Sequence, residues 1–261
     1  MKQVWGDVCR QADGIRRGLN LIALLYDRNR RFHEGSIPPL DHFEQEGFRV
    51  RSVPIGPDVI KQLEEIQPSL ILIETITSTG PAMEVCGQVR RTRSFVRVPV
   101  ILIASNASEE ERVVGLEAGA DDYISEPCSR REVIARIRAV MRRISLSDNY
   151  TLLPSVVRAL GSKITAGDIE IDSTEMRISV RGNEVRTTDL EFRLLYYLVH
   201  NQARVFSRDQ LLDAVWGPQN VDLRTVDACV RRLRRKIELD PLRPAYLKTV
   251  RGAGYCWRVG A

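Results

Sequence analysis

Residues 222–238 read DLRTVDACVRRLRRKIE. With Val226 at zero on a wheel of about 100° per residue, Val230, Leu233 and Ile237 fall within about 40° of it, which predicts a helix with one apolar stripe turned to a core. Arg224, Ala228, Arg231, Arg232 and Arg235 project on the other side, so the expected outer face is arginine around one small residue. Residues 224–258 hold ten Lys or Arg against three acids (Asp227, Glu238, Asp240), a local +7 in a chain whose formal net charge is +5. The closing segment TVRGAGYCWRV (249–259) reads as a hairpin around two glycines, with Arg251 at its tip. A bare charge run fits a solvated helix as well as a binding face. An arginine-faced helix followed by a basic, glycine-tipped hairpin favours a polyanion, because the planar guanidinium fork can grip guanine O6 and N7 or phosphate oxygens in bidentate fashion.

The sequence just upstream completes a small domain from about Ile164. IEID and MRISV alternate apolar and polar residues and turn at Arg181-Gly182-Asn183-Glu184, which predicts an antiparallel platform. Two helices follow, one opening at Thr188 with Glu191 three positions on, the next at Ser207 with Gln210; both are capping boxes. Residues 19–143 have a different rhythm. Short apolar runs at 19–26, 49–53, 69–74, 99–105 and 122–125 alternate with helices over about 38–46, 57–66, 81–92, 108–118 and 129–143. Five such strands predict a doubly wound α/β domain with a parallel sheet covered on both faces. Ser129 and Glu132 form a third candidate capping box. Residues 1–18 form an N-terminal extension, and residues 144–163, with Ser, Asn, Pro and Gly and no clear apolar period, read as a linker.

The bulk numbers agree with two domains: 261 residues, 43% hydrophobic and 28% charged. No apolar run approaches the roughly 20 residues that cross a bilayer, and no secretory h-region opens the sequence, so a cytoplasmic protein without a membrane partner is expected. Cys9, Cys86, Cys128, Cys229 and Cys256 show no CxxC or Cys/His spacing, which predicts thiols and neither a zinc site nor another cofactor. His33, His42 and His200 have no nucleophile at a recognisable spacing, and no hydrolytic enzyme is expected.

The ordered segments TDLEFRLLYYL, RVFSRDQLLDAVWG, RTVDACVRRLRRKIE and TVRGAGY resemble the winged-helix effector domain of OmpR/PhoB-type response regulators. The resemblance implies that Arg232 and Arg234 approach bases, that Arg224, Arg231 and Thr249 hold phosphates, and that Arg251 reads the minor groove; the helical wheel sets Arg234 on the flank. The ordinary alternative for Thr249 is a plain strand residue. The family's usual histidine is Cys229 here, which removes a phosphate contact or replaces it with a thiol. Trp216-Gly217 and the following PQNVD match a segment that touches RNA polymerase in some relatives, although a core plug is the better expectation for Trp216.

Residues 19–143 resemble the receiver of the same family, through SLILIE, PVILIAS, RVVGLEAGADDYISEP and REVIARIRAVMRR. A receiver that takes phosphate uses an aspartate nucleophile, an acidic pair for Mg²⁺, a hydroxyl and a lysine. The matching positions are Glu74, one methylene too long; Asp27 alone, beside Arg28; Ala104, with Ser105 one residue late; and Glu126, an acid where a cation belongs. The resemblance therefore implies a degenerate pocket without metal. A cation site built from Glu74, Asp27 and Glu126 is the alternative. The family's dimer face maps to Arg112 with Glu132 and Asp122 with Arg136, all of opposite sign, and Tyr123 takes the switch position. The expected protein is a phosphorylation-independent, sequence-specific DNA-binding regulator, dimeric through its receiver on tandem half-sites. Its rivals are a conventional regulator phosphorylated on Glu74, and a receiver sensing a ligand or redox state through Cys86 or Cys128.

Overall fold

The computed structural model describes residues 21–26, 40–75, 80–105, 107–148, 163–217 and 222–259. The chain divides into two compact units, residues 1–141 and 142–261. Asp27, Cys9, His33, the N-terminal extension, most of the expected linker and residues 218–221 lie outside the described residues.

The first unit alternates strands and helices in the order β1 (Leu21–Tyr26), α1 (Leu40–Gln45), β2 (Arg49–Pro54), α2 (Val59–Ile66), β3 (Leu70–Thr75), α3 (Pro81–Arg91), β4 (Val100–Ser105), α4 (Glu109–Glu117), β5 (Asp122–Glu126) and α5 (Arg130–Asp148). The strands form one sheet in the order β2-β1-β3-β4-β5, parallel throughout. Strand β3 is central and every residue of LILIET is buried, as a strand covered on both faces requires. Strand β2 is an edge strand and carries the exposed Arg49 and Arg51, charges that discourage pairing with another chain. The strand order reverses between β1 and β3, so the crevice beyond the carboxyl ends of the strands is where such a sheet offers a pocket.

Helix α4 opens with a capping box between Ser108 and Glu111. The box expected at Ser129 and Glu132 is only half made. Ser129 Oγ accepts the Glu132 N–H at 3.1 Å, but the Glu132 carboxylate accepts from Arg136 at 3.0 Å and leaves the cap. Helix α5 also runs to Asp148, five residues past the expected end at 143, because residues 144–148 (ISLSD) contain no glycine or proline to stop it.

The second unit begins with an antiparallel sheet in the order β6 (Lys163–Ala166), β7 (Ile169–Asp172), β8 (Arg177–Val180) and β9 (Asn183–Val185). Three helical segments follow: α6 (Asp189–His200), α7 (Arg208–Leu211), which widens into a π-helical turn over Leu212–Trp216, and α8 (Arg224–Ile237). The hairpin β10 (Leu247–Val250) with β11 (Gly254–Trp257) closes the unit. Both expected capping boxes, Thr188 with Glu191 and Ser207 with Gln210, are complete. One core joins Ile169, Ile171 and Ile178 of the sheet to Phe192 and Leu195 of α6, Trp216, and Val226, Val230, Leu233 and Ile237 of α8. A three-helix unit with a platform and a terminal hairpin is a winged helix.

Candidate nucleic-acid interface and receiver pocket

The apolar stripe of α8 is buried as expected, but its outer face is narrower than the wheel implies. Thr225, Ala228, Cys229 and Arg232 are buried along with the stripe. These residues lie between about 60° and 160° from Val226 on one side, so α8 buries an arc of about 200° and leaves a wedge holding Arg224, Asp227, Arg231, Arg234 and Arg235. Two expectations are thereby corrected. Ala228 is not the centre of the exposed face, and Arg232 does not project to solvent; its relative exposure is 7%.

Glu191 is what draws Arg232 inward. Its carboxylate is fully buried at the start of α6, where Oε2 accepts the Thr188 N–H at 3.0 Å and closes the cap. The same group accepts Arg232 Nε at 2.9 Å on Oε1 and Lys236 Nζ at 2.6 Å on Oε2. Burial alone would raise the Glu191 pKa. The Arg232 and Lys236 charges and the hydrogen bonds outweigh it and bring the pKa down to about 2. A buried carboxylate with two cations and a backbone donor is satisfied, and Arg232 is the more deeply buried of its two counter-ions.

Arg234 lies on the wedge's flank and is turned along the hairpin. Its Nε and one terminal nitrogen donate to the Leu247 carbonyl at 3.0 and 2.7 Å, and that terminal nitrogen also meets Thr249 Oγ1 at 2.7 Å. Thr249 is thus an exposed strand residue whose hydroxyl accepts from within the chain. Arg224 pairs with Asp222 at 2.8 Å at the start of α8. Arg231 and Arg235 are exposed on the wedge, and Arg251 is exposed in the turn of the hairpin. Cys229 is wholly buried in the core, which corrects the idea of a thiol offered to phosphate. Trp216 is likewise fully buried, a core plug rather than a contact surface.

The wedge contains one acid among its arginines. Asp227 Oδ1 accepts Arg208 Nε from α7 at 2.7 Å and the Tyr255 hydroxyl from β11 at 2.7 Å. The Arg208 guanidinium lies 5.2 Å from the Tyr255 ring centroid and that of Arg234 lies 5.8 Å from it. Burial first, then the Asp227 bond, push the Tyr255 hydroxyl up to about 12. The available signal was that Asp227 is the lone acid on an otherwise basic helical face.

In the first unit, Glu74 is the penultimate residue of β3, 3% exposed, and pairs in register with Ile103 of β4. Ala104 is fully buried and pairs with Ser125. Ser105 and Glu126 are partners at the ends of β4 and β5, and Ser105 Oγ donates to Glu126 Oε2 at 2.5 Å. The hydroxyl that stands one residue late is therefore engaged by the acid at the expected lysine position. Among the described residues no group of three or more His, Cys, Asp or Glu could hold a metal ion. Cys86 Sγ donates to the Ala118 carbonyl at 3.6 Å. Cys128 is half-buried, and burial followed by the charges of Glu126 and Glu132 raises its thiol pKa, the reverse of what a reactive thiolate needs.

Of the expected dimer-face charges, Asp122, Glu132 and Arg136 meet inside one chain. Arg136 donates to buried Asp122 at 3.2 Å and to Glu132 at 3.0 Å, and Arg112 donates to Ser125 Oγ at 3.1 Å. Tyr123 is buried beside Gly115, where a Cβ would lie 2.8 Å from both the tyrosine ring and Leu102 Cδ1. Burial, then the charge of Glu111, push its hydroxyl up to about 12. No described helix is long and apolar enough to cross a membrane.

Comparison with known proteins agrees with both halves. Residues 41–138 match the response regulator receiver domain, and residues 182–257 match the family described as transcriptional regulatory protein, C terminal. The chain is 41% identical over 212 residues to the sensory transduction protein RegX3 of Mycolicibacterium smegmatis, covering 81% of this chain and 89% of that protein. It is 39% identical over 215 residues to the phosphate regulon transcriptional regulatory protein PhoB of Rhizobium meliloti, covering 82% and 89%. Among solved structures, a C128S mutant of RitR superposes with a TM-score of 0.68 at 24% identity, covering 92% of this chain and all of that one, a likeness of fold. With a five-stranded parallel receiver followed by a winged helix, and relatives of this identity across most of their length, the chain belongs to the OmpR/PhoB-type response regulators.

Proposed function

We propose that this regulator binds double-stranded DNA sequence-specifically in the cytoplasm, as a dimer formed through its receiver on two tandem half-sites, and that it does so without being phosphorylated. The observation that carries the DNA reading is the wedge of α8, where Arg224, Arg231 and Arg235 share a face with Asp227 and Arg234, the two residues bonded to the hairpin whose turn holds Arg251. Helix α8 enters the major groove, Arg224 and Arg231 hold phosphates, and Arg251 enters the adjacent minor groove. Arg232 reaches a base only by exchanging Glu191 for it, and Arg234 and Thr249 reach DNA only by loosening the bond they share. Contact with RNA polymerase through the loop after Gly217 belongs to the same proposal.

Phosphorylation independence is supported by the Ser105–Glu126 bond. A carboxylate stands where a cation would grip phosphoryl oxygens, and it already holds the nearby hydroxyl. Asp122 and Arg136 are paired within one chain, so the proposed dimer draws on apolar contact for its affinity.

The test is selection of bound duplexes from a random pool by the unphosphorylated full chain. Recovery of a repeated motif about one helical turn apart is expected. Recovery of unrelated sequences with no shared motif would contradict the proposal.

A further inference from the structure

The hairpin is tied to α8 at two separate points. Near the start of the helix, Asp227 accepts the Tyr255 hydroxyl of β11 at 2.7 Å, with Arg208 closing the triangle at 2.7 Å from the same oxygen. Two turns later, Arg234 donates to Leu247 O and Thr249 Oγ1 of β10. Asp227 and Arg234 are seven residues apart, about 10 Å along the axis. One tie of this kind is a pivot; two ties at that separation, each to a different strand, fix both the tilt and the roll of the hairpin. The base of β11 is held as well, because Tyr255 and Phe206 exchange both backbone hydrogen bonds at 2.9 Å.

We propose that Asp227, Tyr255 and Arg234 are positioning residues for minor-groove readout: they set the angle between α8 and the hairpin so that Arg251 reaches its groove while the helix lies in the major groove. This rests on the DNA-binding reading above. Arg251 lies two residues beyond Thr249, which pairs in register with Tyr255, so the hairpin turn stands on an arm of about 7 Å past the ties. A swing of about 10° on that arm moves the tip by about 1 Å, beyond the tolerance of a hydrogen bond. Asp227 therefore serves DNA binding despite its charge: the carboxylate that would repel phosphates is neutralised by Arg208 and used as an anchor.

The test is a double-mutant cycle in the full-length protein on the duplex selected from the random pool, with Arg251→Ala combined separately with Tyr255→Phe and with Thr249→Val. The first removes only the hydroxyl that Asp227 receives, the second only the hydroxyl that Arg234 meets. In the parent protein Arg251→Ala is expected to weaken binding about tenfold. In either positioning variant the same change is expected to cost less than about threefold, because the tip is already displaced. Circular dichroism and thermal melting show whether each variant is folded, and if one is not, the other carries the cycle. Effects that multiply independently would mean direct contacts and would overturn the proposal, as would an Arg251→Ala protein that binds as tightly as the parent. Failure of the parent to select any duplex would instead remove the DNA reading itself.

Discussion

Glu191 closes the cap of α6 and holds Arg232 of α8 with one buried carboxylate, joining a helix start to the middle of the basic helix. The pair turns an arginine that looks like a DNA contact into part of the domain's framework. Glu191→Gln is expected to destabilise the winged helix by about 3–5 kcal/mol, since it strands the Arg232 charge out of water. Arg232→Ala is expected to cost less, because Lys236 still faces Glu191. Chemical denaturation of the two variants checks the order. Arg232→Ala with unchanged stability and lost sequence preference would restore Arg232 to direct base reading.

The same carboxylate gives the domain a pH dependence. Its pKa is about 2 in the folded protein against an ordinary 4.5, so its contribution is fully present above about pH 4.5 and is lost as the pH falls from there through 2. Melting temperature measured across that window should fall more steeply for the parent than for Glu191→Gln. Parallel curves would contradict the assignment.

Gly254 carries φ of +129°, and a Cβ there would lie 1.9 Å from the Phe206 carbonyl oxygen. Gly254→Ala is therefore expected to detach β11 from the Phe206 segment, costing more than about 2 kcal/mol of stability and weakening DNA binding with it. Thermal melting and a binding titration on one preparation test both consequences together.

Arg231 is exposed on the wedge, and as a phosphate contact its loss should not depend on sequence. Arg231→Ala is expected to weaken binding to the selected duplex and to random DNA by similar factors and to reduce the salt slope by about 1. Loss confined to the selected duplex would make Arg231 a base reader.

The strands of the receiver are legible because sheets covered on both faces impose continuous apolar runs, and LILIET is one. The caps at Thr188 and Ser207 are legible because the reciprocal bonds need Glu or Gln three residues on. Other features escape for physical reasons. A wheel centred on Val226 assumes one packed face, whereas α8 is packed across about 200°, with Thr225, Ala228 and Cys229 marking the second buried side. The direction of Arg234 depends on Leu247 and Thr249, which follow it by 13 and 15 residues, and no helical pattern encodes such a contact. Glu132 fits a cap by spacing, yet Arg136 one turn later offers it an ion pair instead.

Control without phosphorylation is proposed on the Ser105–Glu126 bond at the ends of β4 and β5. Its most direct test is the intact mass of the protein after incubation with a small phosphodonor and Mg²⁺, beside a conventional receiver that accepts phosphate under the same conditions. The expected result is an unchanged mass for this chain. A phosphoryl adduct mapping to Glu74 would contradict the claim and make the protein a conventional phosphorylated regulator.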